Sequence, residues 1–232
     1  MRMLFILSLI AFPFLSFSQK REVLLNGAGE NLSEIVSGQM QYVFPDFTDG
    51  VVYSKVSGNI KVKLNYNMLL GEMHFITQEG EVLALGDLKN IFVVTIGERK
   101  FYPFKDKEFT EELGSKGKTG LRVRRKTKTG QHSKQVAFGG QSSLSSVTTV
   151  QSMNTEGKRF DLKTAENVIV SIDNAYYLVD NGKFTLIKNM KAFTKQFSNY
   201  KTQIEVFVKE HHIDINKEED LLVLLEYCNS LE

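Results

Sequence analysis

Across residues 60–68 the chain alternates, with Ile60, Val62, Leu64, Tyr66 and Met68 on one parity and Lys61, Lys63, Asn65 and Asn67 on the other. A period of two sends the two sets to opposite faces of an extended strand. Turn residues bracket this run and its neighbours: Ser57-Gly58-Asn59, Leu70-Gly71-Glu72, Glu79-Gly80-Glu81, Gly86-Asp87 and Gly97-Glu98. Turns about 8–12 residues apart between β-prone runs predict an antiparallel meander over 51–104. Residues 91–96 are almost wholly apolar instead of alternating, which predicts a strand covered on both faces.

The pattern continues with weaker signals. A strand is expected at 39–44, stopped by Pro45, with Thr48-Asp49-Gly50 turning the chain into the next strand. Beyond residue 105, strands are expected at 109–113 and 121–126, the second with Leu121 and Val123 inward. Long polar and basic loops fill the region near 114–157. Sheet signal returns at 158–162, 167–172 and 175–179, and Asp180-Asn181-Gly182 is a hairpin turn leading into 183–187.

From 188 the period becomes helical. Asn189 caps a first helix with Met190, Phe193 and Phe197 on one side. Tyr200, Ile204, Phe207, Val208 and His211 repeat the spacing in a second. Asn216 with Glu219 three residues on reads as a capping box for a third helix over 217–229, with Leu221, Leu224, Leu225 and Cys228 as its stripe. The expected fold is therefore mainly β, an antiparallel meander forming a barrel or sandwich, with a short C-terminal helical segment: α+β as a whole. The β-rich part spans 19–187 and the helices 188–232, packed on the sheet where 91–96 is apolar.

Composition adds a compartment. Arg2 followed by an apolar run and Ser16-Phe17-Ser18 reads as a secretory signal peptide over 1–18, cleaved before Gln19. The run is shorter than the ~20 residues of a membrane-spanning helix. No transmembrane helix is expected after cleavage, so the exported chain is secreted or periplasmic. The 232 residues carry 29 basic and 27 acidic side chains. Losing Arg2 leaves them nearly balanced, which predicts no global attraction to nucleic acid or anionic lipid. Cys228 is the single cysteine, so no internal disulfide is possible and no lipoprotein cysteine stands at the cleavage site.

Several phrases, Leu64-Asn65-Tyr66-Asn67, Leu70-Gly71-Glu72-Met73 with Phe75-Ile76, and Phe47-Thr48-Asp49-Gly50, resemble recurring pieces of secreted, uncharacterised Bacteroidetes proteins. The ending, Glu219-Asp220-Leu221 with Tyr227-Cys228, is similar to the tail of the same group. The resemblance implies an exported, β-rich protein and supplies no functional residues.

The densest candidate chemistry is basic. Lys116, Lys118, Arg122, Arg124, Arg125, Lys126, Lys128 and Lys134 stand in one stretch without an acid. Clustered cations release counterions from a polyanion such as lipopolysaccharide or acidic glycan, while lysines on a strand edge also discourage edge-to-edge pairing. No aromatic residue lies within the stretch, which counts against nucleic acid as partner.

Gly117-Lys118-Thr119 lacks the first glycine of a phosphate loop, since Glu112 stands there. Gly27-Ala28-Gly29 lacks the third glycine of a dinucleotide loop. His211, His212 and Asp214 do not converge on a helix, so no metal or other cofactor is expected. The serines at 142, 143, 145 and 146 lack a nucleophile elbow. Glu218-Glu219-Asp220 and Glu111-Glu112 read as a helix start and a loop. No catalytic residue is identified. The expected function is a non-catalytic exported β protein binding a ligand, an envelope polyanion or a protein partner. The alternatives are an outer-membrane β-barrel and an envelope hydrolase.

Overall fold

The computed structural model describes residues 22–25, 36, 40–116, 119–131 and 168–231. The expected signal peptide, the strand expected at 158–162, the serine-rich segment, Lys118 and Lys134 lie outside the described residues. Eleven strands form one antiparallel sheet: β1 (Glu22–Leu25), β2 (Thr48–Ser54), β3 (Gly58–Asn67), β4 (Glu72–Ile76), β5 (Val82–Ala84), β6 (Ile91–Ile96), β7 (Arg99–Pro103), β8 (Phe109–Lys116), β9 (Thr119–Gln131), β10 (Val168–Asp180) and β11 (Lys183–Leu186). The order is β1-β10-β9-β8-β7-β6-β2-β3-β4-β5, with β11 also on β10. Among the described residues three α-helices follow the last strand: α1 (Met190–Gln196), α2 (Lys201–Glu210) and α3 (Glu218–Ser230). The fold is mainly antiparallel β with a C-terminal helical segment, as the two periods predict.

The hairpins follow local chemistry. Between β10 and β11, Asn181 and Gly182 take φ of 48° and 78°, the left-handed pair that a two-residue turn needs to match strand twist. The sheet curls until Met68, just past β3, accepts the Thr127 N–H of β9 at 3.0 Å.

One face of the curled sheet carries both cores. The register sets Val52, Val94, Phe101, Glu111, Val123 and Tyr176 side by side across β2, β6, β7, β8, β9 and β10. At one end of this row Leu64, Tyr66, Met73, Ile96 and Phe109 fill the curl. At the other, Leu121, Val123, Tyr176 and Leu178 lie under Phe193, Ile204, Leu221 and Leu224 of the helices. Every apolar parity residue of β3 from Leu64 onward is thus consumed by packing.

Five expectations need correction. The helices rest on β8 and β9, not on 91–96. The β2–β6 register slips between Tyr53 and Ser54, so Phe92 is squeezed out and stays 59% exposed. Of the strand expected at 39–44, the described residues 40–44 form only the Tyr42–Asn67 bridge. There the Asn65 amide replaces the ladder, accepting the Phe44 N–H and donating to the Phe44 and Asp46 carbonyls.

The strand expected at 121–126 is longer, a 13-residue strand over 119–131 that takes in part of the expected loop region. Its alternation of cations with Leu, Val and Thr is itself a period of two. At the start of α3 no side chain caps the helix. Asp220 instead accepts the Asp214 N–H at 2.8 Å, and Asp214 accepts the Asn216 N–H at 2.9 Å.

The opposite face of the sheet is polar. Lys61 and Lys63 are exposed, and Lys100 and Glu112 sit 3.6 Å apart across β7 and β8. This polarity is the reverse of the apolar band that a lipid-facing barrel carries outward.

A cationic and aromatic face as candidate functional site

Alternation along β9 divides its cations. Arg122, Arg124, Lys126 and Lys128 share the face turned away from the cores, and Arg125 points the other way with Leu121 and Val123. The register places Arg122 between Glu112 of β8 and Tyr177 of β10. Lys61, Val51, Thr95 and Lys100 continue the same transverse row on β3, β2, β6 and β7.

Around Arg122 the fold assembles rings from three separate segments. Its guanidinium lies 3.8 Å from the Tyr102 ring centroid and 5.5 Å from that of Phe184. Phe184 meets Phe104 at 4.9 Å, Phe104 meets Tyr177 at 5.2 Å, and the Lys105 ammonium stands 5.6 Å over Phe104. The β7–β8 hairpin puts Phe104 there: its N–H donates to Glu108 O at 2.8 Å, and Asp106 takes φ of 52° to close the turn. Burial pushes the Arg122 guanidinium below its usual value, against the attraction of Tyr102 and Glu112. Burial and Glu112 raise the Tyr102 phenol. The lack of rings within the basic stretch therefore does not hold in space.

The other cations of the stretch meet acids. Arg124 and Lys126 share Glu108 at 3.5 and 3.0 Å, and Lys128 reaches Asp173 at 2.8 Å. Lys116 ends β8. On the core face Arg125, 13% exposed, bonds Glu111 at 2.7 Å and Glu218 at 2.9 Å, and Glu111 also accepts Arg99. Burial alone would raise Glu111, but Arg125 and Arg99 outweigh it and hold its carboxyl below the ordinary value. Glu218 goes the other way, since burial outweighs Arg125 and raises it. Glu111 is thus not a loop acid, as its sequence neighbourhood reads, but a buried strand residue.

Two further groupings were not legible in the sequence. His74 is 1% exposed. Its Nδ1 lies 3.0 Å from the Tyr42 hydroxyl and its Nε2 3.5 Å from Glu72. The hydrogen bond with His74 holds the Glu72 carboxyl below its ordinary value, with Lys107 adding to it. A shallow groove lined by Asp49, Gly50, Lys61, Lys63, Thr95 and Gly97 crosses β2, β3 and β6 on the polar face.

His211 stacks on Phe207 at 4.0 Å. Among the described residues no three His, Cys, Asp or Glu side chains group as a metal site, and no helix is long and apolar enough to cross a membrane.

Chemically, the polar face offers flat rings beside a flat cation, with lysines spaced along the same row. Such a surface stacks planar or ring-shaped groups and attracts anions. No family model, no curated protein and no solved structure matches this chain.

Proposed function

We propose that this chain is an exported, non-catalytic β protein of the cell envelope, secreted or periplasmic, that recognises an anionic polymer such as an acidic glycan through the polar face of its sheet. The observation that carries the reading is the filled interior. Tyr66, Phe101, Phe109, Leu64, Met73 and Ile96 are each at most 2% exposed inside the curl. A small barrel filled by its own side chains holds no ligand within, so recognition falls to the surface. Of the two faces, one is occupied by the cores and helices, and the other carries the Arg122 cluster and the lysines of the groove.

The best-placed catalytic residue types have other tasks. Both His74 nitrogens are engaged in a buried site, and Glu111 and Glu218 are tied to Arg125. The test is chromatography of the leaderless chain on immobilised heparin. The proposal predicts retention that falls steeply as salt rises, because bound cations release the polymer's counterions. Passage in the void volume at low salt would overturn it.

A further inference from the structure

We propose that Arg122 is the anchor of this surface, an oxyanion receptor for a carboxylate or sulfate carried on a sugar ring that stacks on the neighbouring aromatic side chains. The inference rests on the anionic-polymer reading and names the residue and the chemical class that reading leaves open. Its first support is the contrast among the cations of β9. Arg124, Arg125, Lys126 and Lys128 all have a carboxylate within ion-pair distance. Arg122 has none among the described residues. Glu112, its neighbour in the row, is directed to Lys100 at 3.6 Å and attracts Arg122 only from beyond ion-pair distance.

The second support is rigidity. A guanidinium 3.8 Å from the Tyr102 centroid, with Phe184 at 5.5 Å, is held in a fixed plane. Its fork of N–H donors then needs little further ordering to take a carboxylate or sulfate with two parallel bonds. Stacking against rings leaves the edge of the guanidinium, where the donors are, as the direction of approach. Phe104 extends the ring surface beside it, backed by the buried Tyr177, and Lys105 lies over Phe104. A saccharide ring presents an apolar C–H face to such rings while its acidic substituent reaches Arg122.

The third support is direction. Lys61, Lys100 and Arg122 fall in one row across the strands. The five strand steps from β3 to β9 cover about 24 Å at ~4.8 Å each along the curved surface. The groove beside Lys61 and Lys63 continues the same path. A polymer anchored at Arg122 thus runs across the strands towards Lys61, which meets a later anionic unit.

The test uses the leaderless full chain and a heparin hexasaccharide, with affinity measured by calorimetry at several salt concentrations. Arg122→Lys keeps the charge and loses the flat fork. It is expected to weaken binding by about tenfold or more, the loss of one bidentate charge-assisted contact, with the salt slope nearly unchanged. Arg124→Gln, which removes a charge already paired with Glu108, is expected to weaken binding by no more than about fivefold. Wild-type affinity in Arg122→Lys would overturn Arg122 as anchor and leave polymer binding standing. No binding by the wild type would overturn both.

Thermal unfolding confirms that the variant is folded. Should it not fold, the NMR signal of the Arg122 Nε–H in the wild type decides: a shift on adding the hexasaccharide supports the anchor, and an unmoved signal at saturation overturns it.

Discussion

Glu111 is the charged member of a row otherwise built from Val52, Val94, Phe101, Val123 and Tyr176. At 6% side-chain exposure it stands between the two cores, clasped by Arg99 and Arg125. Replacing it leaves two guanidinium groups without their buried partner, so Glu111→Gln is expected to lose about 3–5 kcal/mol of stability in urea unfolding. The same residue sets a pH dependence. A carboxyl lowered by folding stabilises the native state above its ordinary value of 4.5, and that contribution is lost as pH falls through the lowered value. Glu72 acts in the same sense.

Glu218, raised by burial, has the opposite sign: its contribution is present below 4.5 and is lost as pH rises through the raised value. The thermal midpoint should therefore fall on acidification below about pH 4.5, through Glu111 and Glu72, and should also fall as pH rises above about 4.5 through the raised value of Glu218. Glu218→Gln should remove the change above about 4.5 and leave the acid-side fall in place, measured by circular dichroism melts across pH.

Gly50 is a second position where one atom matters. A Cβ there would meet the Thr95 carbonyl oxygen and the Leu64 side chain. Gly50→Ala should cost about 1–3 kcal/mol by overpacking, read from the same urea transitions.

At the scale of elements, the helices and hairpins are where local chemistry decides. Asn189 caps α1 by accepting the Ala192 N–H at 2.9 Å, and Asn189→Ala should cost about 0.5–2 kcal/mol in thermal or urea unfolding. In α3, Leu221 and Leu224 are wholly buried. Leu224→Ala should cost about 2–5 kcal/mol in urea unfolding by leaving a cavity under the sheet. These elements were legible because their signals are local: the two-residue alternation of β3, the three-and-four spacing of Met190, Phe193 and Phe197, the Asn-Gly turn.

What was not legible depends on register. The run 91–96 looks doubly buried, yet a bulge opposite Tyr53 and Ser54 turns Phe92 outward. Residues 39–44 look like a strand, yet the Asn65 side chain takes over their backbone groups. The ring cluster around Arg122 draws on β7, the turn after it, β10 and β11, residues up to 82 positions apart, if Tyr102 and Phe184 are counted. No window along the chain contains it.

Over the described residues, a single curled sheet has one face spent on packing and a polar face opposite, which the proposal makes the recognition surface. Two cores share the packed face and are joined at Glu111, Arg125 and Glu218. The account stands or falls on the other face being the working one. NMR mapping of residues 19–232 with a heparin hexasaccharide tests this most directly. The predicted result is a set of shifted signals confined to the row of Lys61, Thr95, Lys100, Tyr102, Arg122 and Tyr177. Shifts centred instead on α2 and α3, or no shifts at saturating ligand, would contradict it.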